Sequence, residues 1–112
     1  MGKRVMIVSE TFGSGDEELG RLLMKNFIYS LARSDEPPAA VMLANGAVRL
    51  ACRGSESLTD LRLLADAGVP VRSCGTCLDF YGLMDALDVG EVGAMPATVE
   101  VLLGEDPVVT IA

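Results

Sequence analysis

The chain has 112 residues, half of them apolar and 4% aromatic, which describes one compact core and leaves no room for a second domain or for disorder. Sixteen acidic against nine basic residues give a formal charge of −7, and no cationic run exceeds the pair Lys3–Arg4, so direct binding of nucleic acid through a basic face is disfavoured. The apolar run near the N-terminus, Val5 to Val8, is too short for a signal-peptide core or a bilayer span, so the expected location is cytoplasmic, with no membrane partner.

Val5-Met6-Ile7-Val8 is continuously apolar rather than alternating, the pattern of a strand covered on both faces. After Gly13-Ser14-Gly15, residues Leu19, Leu22, Leu23, Phe27 and Leu31 recur at helical spacing, and Ser14 with Glu17 fits a capping box. Met24, Ile28 and Tyr29 lie to one side of that stripe and give the helix more apolar circumference than one sheet covers, for a subunit contact or for a second helix. Ala40 to Ala44 reads as a second buried strand, ended by the turn signal Asn45-Gly46. Leu58, Leu61 and Leu64 mark a second helix closed by Gly68, and Val69 to Ser73 a third strand. A short helix follows over 77–87, with Leu78, Tyr81 and Leu83 or Met84 inward. Gly90 to Gly93 forms a short strand or loop, Pro96 opens a last helix at its N1 position, and Val108 to Ile111 closes the sheet. This alternation predicts right-handed crossovers and a three-layer α/β/α sandwich with a mainly parallel sheet of about five strands.

In a parallel sheet every strand-to-helix loop emerges at the carboxyl edge, where such folds bind ligands. Three loops meet there: Ser9 to Gly15, Asn45 to Cys52, and Cys74 to Cys77, which gathers all three cysteines toward one side.

Cys74 and Cys77 form the pair Cys-Gly-Thr-Cys at the corner after the third strand. An odd cysteine count in a chain able to build its own core argues against a disulfide scaffold. Zinc wants four ligands, and the chain has no histidine and one further cysteine, which leaves only a site shared between subunits. A thiol near unpaired N–H groups at a helix start is ionised more readily, while Asp79 opposes this and Arg72 offsets Asp79. The bland alternative is a pair of small apolar fillers with Gly75 supplying backbone freedom; Cys52, a single thiol, reads as inert. The stretch Ser9 to Gly20 has the glycines and hydroxyls of a phosphate-binding loop, but Asp16, Glu17 and Glu18 crowd the first turn, so it reads as a capped helix start.

The stretches SETFGSGDEELGRLLMKNFIYSLA and VMLANGAVRLACRGSESLTDLRLLADAGVPVRSCGTCLDFYGLMDALDVGEVGAMPATVEVLL resemble the DsrE/DsrF-like superfamily. Within it they are similar to the C-terminal domain of the YedF-type, sulfurtransferase-like selenium metabolism proteins. The most specific matches are Gly15-Asp16-x-Glu18-Leu19-Gly20, Lys25-x-Phe27-Ile28-Tyr29 and the run from Ser73 to Leu83. The resemblance implies a three-layer fold assembled into homotrimers or hexamers, and sulfur relay through a cysteine after the third strand, onto which Cys74 and Cys77 map. Longer YedF-type proteins carry an N-terminal TusA-like domain, whereas this chain begins at the DsrE-like strand.

The expected function is therefore a cytoplasmic, homo-oligomeric persulfide carrier. It exchanges sulfur with donor and acceptor proteins, TusA-like ones among them, through Cys74 or Cys77 and needs no cofactor or metal. Gly75, Thr76, Gly13, Gly15, Asn45 and Gly46 are expected to support the site. Two rivals stand beside it: a ligand- or partner-binding module with incidental cysteines, and a thioredoxin-like disulfide reductase. The latter is disfavoured because its pair follows an early strand and an aromatic residue, whereas here Ser73 precedes the pair.

Overall fold

The structure, a computed structural model, describes residues 2–112. Its strands are β1 (Arg4–Ile7), β2 (Ala40–Leu43), β3 (Val71–Cys74), β4 (Glu91–Gly93) and β5 (Val108–Ile111). They form one sheet in the order β4-β3-β2-β1-β5 with every neighbouring pair parallel. The helices are α1 (Glu17–Ala32), α2 (Leu58–Asp66), α3 (Gly75–Phe80) and α4 (Met95–Leu103), with 3₁₀ segments at Asn45–Ala51 and Met84–Ala86.

From β1 to β4 each crossover steps to the adjacent strand in one direction, and right-handedness puts α1, α2 and α3 on the same face. The core lies there: Val5 and Ile7, Val41 and Leu43, and Val71 meet Met24 and Ile28 of α1, Leu61 and Leu64 of α2, and Leu78 of α3. Each such side chain, buried from water, stabilises the fold by about 1.5–3 kcal/mol. The return from β4 to β5 runs back across the sheet, so α4 lies on the opposite face, over Met6 and Met42. At nine residues α4 is about 13 Å long, against about 19 Å across five strands, so this layer is incomplete. Val92, Met95, Val99, Leu102 and Leu103 remain exposed in consequence. Among the described residues no helix is long and apolar enough to cross a membrane.

Helix α1 departs from the sequence expectation. Its core line is Gly20, Met24 and Ile28, the last two 1% and 0% exposed, while Leu19 and Leu22 are 52% and 54% exposed. The two stripes are neighbours on the helix: Phe27 and Leu31 of the expected one pack against the core, while Leu19, Leu22 and Leu23 do not. Gly20 decides the matter: a Cβ there would stand 2.7 Å from the Thr11 Cβ, so only glycine lets the loop after β1 close over this line. The cap also differs. Asp16, not Ser14, is the N-cap, and its Oδ1 accepts from the Leu19 N–H at 2.9 Å. The helix expected over 77–87 is instead α3 followed by the 3₁₀ segment Met84–Ala86, broken at Gly82, whose φ is +68°.

Candidate functional site

Cys74 is the last residue of β3 and Gly75 the first of α3, so the pair stands where strand becomes helix with no loop between. Gly75 has no left-handed backbone; what it provides is room. A Cβ there would lie 3.0 Å from Val92 Cγ1 and 3.3 Å from the Gly93 carbonyl, so β4 closes on the corner only because residue 75 is glycine.

The Cys74 sulfur sits at the start of α3, beside Thr76 and Cys77. Burial works against its ionisation, but hydrogen bonds from the Cys77 N–H and thiol and from the Thr76 N–H and hydroxyl outweigh burial and hold its pKa below the ordinary cysteine range. Cys77 moves the other way: burial raises it first, then the hydrogen bond it donates to Cys74 and the charge there, against the Asn45 N–H and its own N–H. Of the pair, Cys74 is therefore the one that ionises more readily and Cys77 the one that keeps its proton longer. Hydrogen bonding and burial set this order, rather than the opposed charges of Asp79 and Arg72.

The turn after β2 completes the site. Asn45 has a left-handed φ of +53°, and its N–H donates to Cys77 Sγ at 3.1 Å. Its Oδ1 accepts from the Tyr81 hydroxyl at 2.6 Å, and the Arg49 guanidinium lies over the Tyr81 ring, 4.2 Å from its centre. Both sulfurs are half-buried rather than sealed. Cys74 also opens on a cavity of about 50 Å³ between the sheet and α4, beside Met6, Met42 and Met95.

No model of a known protein family matches the chain, and no curated protein does. Solved structures do. The YchN protein of E. coli superposes with a TM-score of 0.69 at 23% identity, covering 99% of this chain and 100% of that one. MTH1491 of Methanobacterium thermoautotrophicum, a protein of unknown function, gives 0.67 at 20% identity, covering 98% and 99%. BT1422 of Bacteroides thetaiotaomicron, also of unknown function, gives 0.58 at 13%, covering 97% and 95%. The likeness is one of fold. At such identities the small α/β architecture is shared over its length, and chemistry has to be argued from this chain's own residues.

Of the residues the sequence singled out, the structure brings together Cys74, Cys77, Gly75, Thr76 and Asn45, with Gly46 next along the chain. Gly13 and Gly15 stand apart. The Gly13 N–H donates to the Ala112 carbonyl at 2.7 Å, which fixes that loop beside the end of β5, three strand positions from β3. Cys52 is separate too: it is buried at 2% exposure, its thiol donates to the Val48 carbonyl at 3.2 Å, and burial raises its pKa. Among the described residues, no three or more Cys, Asp or Glu converge closely enough to hold a metal ion. Tyr81 and Arg49 were missed as site residues, although a signal existed for the first. Tyr81 follows Cys77 by four, the spacing that stacks side chains on one face of α3, whereas Arg49 lies on a 3₁₀ segment of three residues per turn, where a spacing of four from Asn45 gives no such signal.

Proposed function

We propose that the protein is a sulfur carrier of the DsrE/DsrF-like kind, in which Cys74 accepts a sulfane sulfur. The Cys74 thiolate attacks the outer sulfur of a donor persulfide R–S–SH; the bond between the two donor sulfurs breaks, R–S⁻ leaves, and Cys74–S–SH remains. Loss of its proton gives an outer-sulfur anion. For onward transfer an acceptor thiolate R′–S⁻ attacks the outer sulfur of the protonated form Cys74–S–SH; the bond to the Cys74 sulfur breaks, R′–S–SH forms and the Cys74 thiolate is released. Alternatively Cys77 attacks the inner sulfur, expels hydrosulfide and closes a Cys74–Cys77 disulfide, which an external dithiol must reduce. No cofactor enters either route.

The observation that carries this reading is the place of Cys74 at the strand-to-helix corner, half-buried and three residues from a second free thiol, where hydrogen bonding from Thr76 and Cys77 favours its ionised form. Phe80, 84% exposed one turn beyond the corner, offers the apolar contact a partner needs to approach the sulfur. The exposed apolar side chains on α4 and on the outer side of α1 support a homo-oligomer, trimeric or hexameric as the family resemblance implies. Donor and acceptor would be cytoplasmic proteins, TusA-like among them, with selenium as a second cargo.

Intact-mass measurement after incubation with a persulfide donor tests the reading. The mass of one sulfur is expected on wild type and Cys77→Ser and not on Cys74→Ser. An unchanged wild-type mass, with both thiols titrating as free, would overturn it.

A further inference from the structure

Four of the chain's nine cations stand around one cleft that the thiol pair does not enter. The cleft has a volume of about 370 Å³. Arg21 and Lys25 reach it from α1, where a spacing of four puts them on one side of the helix. Arg49 and Arg53, also four apart, reach it from the end of the first 3₁₀ segment and the turn after it. Glu10 and Glu56 are the acids in its wall, so the cleft is cationic in a chain whose formal charge is −7.

Its cations are loosely held. Arg21 pairs with Glu17 at 2.7 Å, Arg49 with Glu10 at 3.3 Å and Lys25 with Glu56 at 3.8 Å, all three pairs solvent-accessible, and Arg53 makes no ion pair among the described residues. Such pairs are weak and readily exchanged for a better anion. The arginine charges converge on one place: at Cys52, in the cleft wall, burial raises the thiol and the Arg49 and Arg53 guanidiniums together pull it back. Leu50 and Leu83 add apolar surface, so the wall is not polar alone.

We propose that this cleft binds a small molecule carrying phosphate- or sulfate-type oxyanions. Three of the four cations are arginines, whose planar forks match such groups with paired hydrogen bonds. The volume lies at the lower end of small-ligand clefts and is compact, unlike the extended stripe that a nucleic acid requires. Glu10 follows β1 and Arg49 follows β2, so the cleft opens from the carboxyl edge of the sheet. Arg49 also covers the Tyr81 ring, which places an occupant one side chain from the Asn45 turn, although the site stands whether or not Cys74 carries sulfur.

Calorimetric titration of the full chain with pyrophosphate and with inorganic sulfate tests the proposal, the stronger binder identifying the oxyanion class. One saturable site per chain is expected for at least one of them. Arg53→Gln and Lys25→Gln should each weaken it at least tenfold, while Arg62→Gln, a cation paired with Asp88 elsewhere, should leave it within twofold. Amide shifts of the wild-type protein on adding the same anion should centre on residues 49–57 and on Arg21 and Lys25, independent of how the variants fold. Absence of saturable binding by both anions, equal weakening in all three variants, or shifts centred elsewhere would each overturn it.

Discussion

The Asn45 N–H donates to Cys77 Sγ across 3.1 Å, tying the turn after β2 to the helix after β3. Asn45 holds this position with a left-handed backbone that asparagine tolerates, and the Tyr81 hydroxyl fixes its side chain.

Substitution at Asn45 separates these two contributions. Asn45→Ala loses the acceptor for Tyr81 and forces a left-handed φ on alanine, so about 1–2 kcal/mol of stability should go in urea unfolding. Asn45→Gly keeps the backbone unstrained and should cost less. Equal losses would mean that the side-chain bond, and not the backbone, holds the turn.

Gly75→Ala would push a methyl against Val92 and the Gly93 carbonyl. A loss of about 1–3 kcal/mol is expected, typical of overpacking, together with a shift of the Cys74 pKa toward the ordinary cysteine range as the corner opens. Wild-type thiol reactivity in this variant would contradict the close approach of β4.

Ser73 is fully buried, and its hydroxyl has no hydrogen-bond partner among the described residues. Removing an unpartnered buried hydroxyl relieves a desolvation cost, so Ser73→Ala should leave stability unchanged or raise it by about 1 kcal/mol. Measurable destabilisation would show that the hydroxyl is satisfied in solution.

Much of this architecture was legible in the residues. Continuous apolar runs gave the buried strands, and Val108 to Ile111 was read with the bounds it has in the structure. Gly68, with φ +93°, closes α2 as its type predicts. The thiol corner was legible because a parallel sheet sends every such corner to one edge. What could not be read depended on close approach across the fold. The buried side of α1 turned on Thr11 meeting Gly20, the role of Gly75 on β4, and the ionisation order of the cysteines on which N–H groups point at which sulfur. Arg21, Lys25, Arg49 and Arg53 looked dispersed because no two are adjacent, and only the fold gathers them.

The incomplete layer over one face of the sheet bears on assembly. With Met95, Val99, Leu102 and Leu103 exposed on α4, light scattering should report a mass above that of one chain. Val99→Asp combined with Leu102→Asp should lower that mass. A wild-type monomer at tens of micromolar would rule out the proposed oligomer.

Sulfur loading at Cys74 depends on Cys74 ionising before Cys77. The Cys74 pKa lies below the ordinary cysteine value and that of Cys77 above, so thiolate forms first at Cys74 as pH rises. Cys77→Ala removes one donor and should raise Cys74, whereas Cys74→Ser removes the neighbouring charge and should lower Cys77. Mass-resolved alkylation rates at each cysteine, followed across pH, measure this directly. The predicted result is a Cys74 profile displaced to lower pH than Cys77 and moved upward in Cys77→Ala; coincident profiles, or Cys77 reacting at the lower pH, would contradict the account.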